Sequence, residues 1–151
     1  MDKTETNNRQ RVTPDYIRTL NEGEIFVFGS NKNGMHGGGA ARTAYRLFGA
    51  VWGQGEGLQG RSYALPTMEG FDSMREAVER FTACARKHSE LTFLVTAVGC
   101  GIAGYRPAEV APLFAEAATL TNVCLPQTFW DVLAAERTKT KAQGEMNGQE
   151  R

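Results

Sequence analysis

Three residues near the glycine-rich stretches of this chain have side chains able to do chemistry: His36, Glu56 and Cys100. Imidazole exchanges protons near neutral pH and suits a general acid or base. The same His36 could donate to a phosphate, or simply hold structure. Glu56 reads as a solvated carboxylate or as a base. Cys100, beside strand-end glycines, reads as a small packed hydrophobe or as a nucleophile. There is no Gly-x-Ser-x-Gly elbow and no Ser-His-Asp set. The first glycine loop lacks the lysine and Ser/Thr of a P-loop. The catalytic residues are therefore unassigned, with His36 and Glu56 as the candidates.

Two segments must position these groups. Residues 26–49 read FVFGSNKNGMHGGGAARTAYRLFG. An apolar run from Ile25 to Phe28 ends in Gly29-Ser30-Asn31. His36-Gly37-Gly38-Gly39 then opens a helix carrying Ala40, Ala44, Leu47 and Phe48, with Gly49 at its end. A glycine-rich loop at a helix N-terminus offers unpaired N–H groups to an anion, and the helix dipole adds to the attraction. The second junction is Leu91 to Val98 running into Gly99-Cys100-Gly101-Ile102-Ala103-Gly104-Tyr105-Arg106-Pro107. Two such loops following strands are expected on one rim of a sheet, gripping a phosphorylated ligand. Arg42 and Arg61 are further phosphate partners by chemistry, or solvated charges. Tyr105 either covers a sugar or closes the core.

The remaining chain supplies the scaffold. Thr13-Pro14 reads as the start of a helix with Tyr16, Ile17 and Leu20 inward. Glu24 to Phe28, Arg61 to Thr67, Leu91 to Val98 and Asn122 to Leu125 read as strands. Trp52 to Gly60 holds four glycines and reads as an irregular loop, either a connector or a second ligand-facing wall. Asp72-Ser73 caps a helix to about His88, with Met74, Ala77, Val78, Phe81, Cys84, Ala85 and His88 on one stripe. A helix opening near Glu109 turns Val110, Leu113, Phe114 and Ala117 inward, with Pro112 in its first turn. A short helix reaches about Arg137.

Strands alternating with helices give an α/β class, a largely parallel mixed sheet in a three-layer α/β/α arrangement. The chain of 151 residues divides into a disordered tail at 1–11, one domain at 12–137 and a disordered tail at 138–151. Its 17 basic and 17 acidic side chains cancel, so net charge offers no case for nucleic acid. No apolar run spans a membrane and no signal peptide is present. Cys84, Cys100 and Cys124 have no metal-type spacing. They fit a reducing, cytoplasmic setting with neither metal nor cofactor.

The pattern GSNKNGMHGGGAA, followed some sixty residues on by LTFLVTAVGCGIAGYRPAEVAPLF, resembles a macrodomain. Residues 14–130 are similar to small macrodomain-like proteins of bacteria and their phages, through FVFGSN, HGxGAA, FGA, GEGLQGxSYALPT and GCGIAGY. Macrodomains are α/β/α folds that bind ADP-ribose. The resemblance puts Asn31 before the first loop and Gly37, Gly38 and Gly39 against the distal ribose and diphosphate; the neighbouring Ser30 and His36 are candidate ligand-binding residues by position. It makes Gly99, Gly101, Ile102, Ala103 and Gly104 the diphosphate loop, with Cys100 and Tyr105 as further candidate ligand-binding residues. Phe129 or Trp130 takes the place of the aromatic that stacks on adenine.

The same comparison finds Ala41 where hydrolytic members carry an Asp, and Phe28 where an Asn orients water. Ala103 stands at the Asp of the covalent branch, with Tyr45 and Arg46 in its Lys region. The Gly-Asp segment for adenine has no counterpart before Glu24. The resemblance thus implies binding of ADP-ribose or a related nucleotide-diphosphate ligand, free or on an ADP-ribosylated macromolecule. The alternative is a hydrolase of ADP-ribosyl groups or of a related phosphorylated metabolite.

Overall fold

The structure, a computed structural model, describes residues 11–149, with side chains through residue 139. The stretches 1–10 and 150–151, expected as parts of the tails, lie outside the described residues. The chain is α/β. Its elements are β1 (Glu24–Ser30), α1 (Gly39–Leu47), β2 (Gly57–Gln59), β3 (Ser62–Pro66), α2 (Phe71–Lys87), β4 (Thr92–Val95), α3 (Pro107–Val110), β5 (Val123–Cys124) and α4 (Gln127–Gln149). The five strands form one sheet in the order β2-β3-β1-β4-β5. Only β2 is antiparallel to its neighbour. No described helix is long and apolar enough to cross a membrane.

Side-chain alternation along β1 divides the core. Ile25 and Val27 join the larger cluster, with Phe81, Phe93, Phe114 and Phe129 fully buried in it. Each such ring removed from water contributes about 2–3 kcal/mol. Phe26 and Phe28 join a smaller cluster with Ala41, Ala44 and Phe48 of α1 and its end. Helices therefore cover both faces, as continuous apolar strands require. Asn122 fastens one end of the larger cluster, its Nδ2 donating to the carbonyls of Ala85, His88 and Leu91.

Several elements differ from the sequence expectation. Residues 13–20 form no helix. Thr13 instead gives its N–H to Leu125 O at 2.9 Å, and Val12 bridges Leu125 in parallel. Pairing beside β5 takes up the start of the segment, and about two isolated helical turns cannot repay their nucleation cost. Tyr16, expected inward, is 90% exposed, while Ile17 and Leu20 do pack on the smaller cluster. The glycine-rich stretch 52–60 contains β2, an edge strand. The segment after Arg106 opens at Pro107 rather than Glu109, then tightens into 3-10 turns at Ala111–Phe114 and Ala117–Thr119. Pro112 has no N–H to continue the α-helical ladder. Val110, Phe114 and Ala117 still point inward as expected, and Leu113 is half-buried. The cap of α2 is Gly70, with Asp72 in the first turn paired to Arg75. The last helix continues past Arg137 to Gln149, although Gly144 and Gly148 are poor helix formers.

Candidate functional site

Parallel strands β3, β1 and β4 all end on one rim. The chain moves from β1 outward to β3, then returns to the other side of β1 as β4. That reversal leaves a crevice between the tips of β1 and β4, the usual ligand position in open parallel sheets. A cleft of about 250 Å³ lies there. Its walls come from four strand-end or loop segments: Gly29–Asn31 with Met35, Gly38–Ala41, Thr67–Met68, and Thr96–Ala103 without Cys100.

Most side-chain polar atoms at these walls are already engaged by the protein. Ser30 Oγ donates to Gly55 O. Asn31 closes its own loop, Oδ1 accepting from Met35 N–H at 2.9 Å and Nδ2 donating to Met35 O at 3.1 Å. Thr96 binds Val27 O twice, through N–H at 3.1 Å and Oγ1 at 2.7 Å. This pins the tip of β4 to β1. Thr67 Oγ1 reaches Ser30 O at 3.4 Å. Among the described residues, no carboxylate, imidazole, ammonium or guanidinium lines the cleft.

Main-chain amides remain. Gly39, Ala40 and Ala41 begin α1, whose first-turn N–H groups have no intrahelical acceptor. Gly38 at the N-cap offers no side chain, and the first turn contains no acid. In the second loop, Tyr105 N–H bonds Gly99 O and Gly104 N–H bonds Gly101 O. The amides of Gly101, Ile102 and Ala103 find no backbone acceptor among the described residues. The cleft is thus a neutral cradle of amide donors.

The glycines sort into two kinds. A Cβ on Gly34 would stand 2.4 Å from the backbone of Gly53 and Gln54, and one on Gly55 would stand 2.4 Å from the carbonyls of Asn31 and Lys32. Those glycines are needed for the two loops to interlock. Gly37, Gly38 and Gly101 differ. None has a positive φ, and a Cβ on any of them would meet nothing within 4 Å. Nothing inside the chain requires glycine at these positions.

The structure brings together Ser30, Asn31, Gly38, Gly39, Gly99, Gly101, Ile102 and Ala103 of the residues singled out by sequence. Ile102 stands at the lip, 87% exposed. The others are elsewhere. His36 is 1% exposed, wedged edge-on against Phe28, its Nε2–H donating to Val51 O at 2.9 Å. Its Nδ1 is buried without a partner. Glu56 receives Arg80 Nε and Nη2 at 2.6 and 3.0 Å. Cys100 is half-buried behind its loop, and burial, with Glu109 nearby, pushes its thiol pKa up. A raised thiol is a poor nucleophile at neutral pH. Tyr105 packs under Gly99 and against Phe71. Phe129 is sealed against Phe114, and Trp130 donates to Arg11 O under the Arg11 guanidinium. Gly37 and Gly104 do not line the cleft. Arg61 donates to Leu20 O and Asn21 O, away from the cleft.

The stretch 52–60 is neither flexible connector nor ligand wall. Gln54 Nε2 donates to Glu56 O and Leu58 O, while Gln59 bonds Gln54 O, Gly57 O and Val51 N–H. These amides lace the segment under the first loop. Thr67 and Thr96 went unnoticed in the sequence. Their signal was available: each directly follows a strand on the binding rim. The chain matches no known family, curated protein or solved structure.

Proposed function

We propose that the cleft binds ADP-ribose or a related nucleotide-diphosphate ligand, in the manner of a macrodomain, with the diphosphate against the two glycine-rich loops. The observation that carries this reading is the pairing of unrequired glycines with unpaired amides. Gly38 and Gly101 are free of φ and packing constraints, and they flank the free N–H groups of α1 and of the 101–103 turn. Bare backbone facing open space suits an oxyanion that must approach closely. Met35, Met68 and Ile102 give the lip apolar surface for the rest of the ligand.

The hydrolase alternative has less to draw on. Hydrolysis at an anomeric carbon wants a positioned base or nucleophile. His36 and Glu56 are occupied elsewhere, and among the described residues no titratable side chain lines the cleft.

Calorimetry with ADP-ribose, ADP and inorganic phosphate tests the proposal. Saturable heat is expected for the two nucleotides. Ala40→Asp, which adds a carboxylate to the first turn of α1, should weaken binding at least about tenfold through like-charge repulsion. The same change favours the helix dipole but disturbs the packing of half-buried Ala40 on the smaller cluster, so circular dichroism beside the calorimetry shows that the variant remains folded. Silence with all three ligands, or indifference to Ala40→Asp, would remove the reading.

A further inference from the structure

The outer face of α1 pairs cations with exposed aromatic rings. Residues 25–55 include Lys32, Arg42 and Arg46 but no Asp or Glu, although the whole chain is neutral. Arg42 and Arg46 are exposed, one turn apart on α1, and have no ion-pair partner among the described residues. Tyr45 lies between them in sequence and is 46% exposed. Trp52 is 51% exposed, with its ring 5.5 Å from that of Tyr45. The buried His36 ring braces Trp52 from behind at 6.3 Å. Trp52 thus packs between Tyr45 and His36, with about half of its surface left in water.

The pairing of the two arginines carries a cost. Like charges at i and i+4 repel, although Arg46, in the last turn of α1, is favoured by the dipole. Tyr45 and Trp52 still leave about half of their surface in water. An anionic partner with flat π faces relieves the repulsion and covers the exposed part of the rings.

We infer that this face of α1 binds single-stranded nucleic acid, Arg42 and Arg46 holding phosphates while Tyr45 and Trp52 stack on bases. Stacking on aromatic rings beside guanidinium groups is how single strands are gripped without sequence preference. A duplex keeps its base faces inside and offers only phosphates. A second copy of this chain fits poorly, because a two-fold contact through this face sets Arg42 and Arg46 against their own copies with no acid between. An acidic peptide would answer the charges and leave the rings unused.

The inference concerns a surface outside the cleft and does not depend on what the cleft holds. Fluorescence anisotropy with labelled single strands of DNA and RNA, about twelve nucleotides long, and with the matching duplex tests it. Saturable binding is expected for a single strand at about 50 mM salt, with a log–log salt slope near −1.4 for two phosphates. The duplex should bind more weakly. Arg46→Glu should weaken single-strand binding at least about tenfold. Tyr45→Ala should weaken it at least about fivefold. Arg46→Glu reverses a charge in the last turn of α1 and Tyr45→Ala removes a ring packed on Trp52, so circular dichroism of each variant should show the parent fold, with the melting temperature lowered only slightly. Calorimetric titration of Arg46→Glu with ADP-ribose should match that of the parent chain, which separates this surface from the cleft. Four results would each overturn the inference: no saturable signal with either strand, duplex binding as tight as single-strand binding, insensitivity to both substitutions, or equal competition by polyglutamate. A concentration-dependent dimer lost in Tyr45→Ala would assign the face to self-association instead.

Discussion

A Cβ on Gly29 would lie 3.6 Å from the amide nitrogen of Gly99. Seventy residues separate these glycines, yet the first loop and the second start in contact. Gly29 lies in β1, near its tip, and Gly99 follows β4, its parallel neighbour. The contact makes one cleft out of two loops.

The two kinds of glycine should respond oppositely to alanine. Gly101→Ala meets no clash and no forbidden φ, so it should leave stability unchanged or raise it by about 0.4–1 kcal/mol through the unfolded chain. Affinity for ADP-ribose should fall in the same variant. Urea melts alongside calorimetry read both quantities, and a variant that binds as tightly as the parent argues against close ligand approach at Gly101.

Gly55→Ala should do the reverse. Its methyl group would press on the carbonyls of Asn31 and Lys32 at 2.4 Å. Overpacking of this kind costs about 1–3 kcal/mol. The urea midpoint should drop accordingly, and ligand affinity should decline only as far as the 31–35 loop is displaced.

His36→Ala distinguishes packing from catalysis. The imidazole fills a closed site between Phe28 and Trp52. Emptying that site should cost about 2–4 kcal/mol. A variant of undiminished stability that had lost an ADP-ribosyl hydrolase activity would return His36 to a chemical role.

Alkaline pH should destabilise the fold. Burial is the first cause raising Tyr63 above the usual phenol range, with the charges of Cys84 and Glu56 adding to it. Cys84, Cys100 and Cys124 are raised as well, each chiefly by burial. In each case the unfolded chain releases its proton first. The stabilisation is therefore complete below the unfolded values, about 8.5 for thiols and about 10 for the phenol, and is lost as pH rises beyond them. Urea midpoints should fall above about pH 9, and Tyr63→Phe should flatten the part of the fall beyond about pH 10.

Binding in the cleft should show little pH dependence of its own. No titratable side chain lines it among the described residues, and a diphosphate diester stays ionised. ADP-ribose affinity should be flat from about pH 6 to about 9. A bell-shaped profile would point to an acid–base group at the ligand.

Local pattern made much of this protein readable. Continuous apolar runs located β1, β3 and β4, and the 3.6-residue stripe of Met74, Ala77, Val78, Phe81 and Ala85 located α2. Glycines after two strands marked both loops of the cleft. These signals survive because strand and helix periods are written in neighbouring residues. Residues 13–20 carried the same kind of local signal and misled: Thr13, the expected N-cap, instead pairs with Leu125 beside β5.

The amino-acid order by itself determined β1, β3 and β4, the helix α2, and the two glycine-rich loops that follow strands, but neither the edge strand β2 nor the non-helical course of residues 13–20. Only the tertiary structure decided which polar groups reach those loops. It turned His36 inward against Phe28, tied Glu56 to Arg80, and left Arg42, Tyr45, Arg46 and Trp52 facing water on a chain with no net charge. The reason is that a loop side chain has no period to fix its direction. Its orientation follows from contacts with segments far along the chain, and those exist only once the sheet has brought them together.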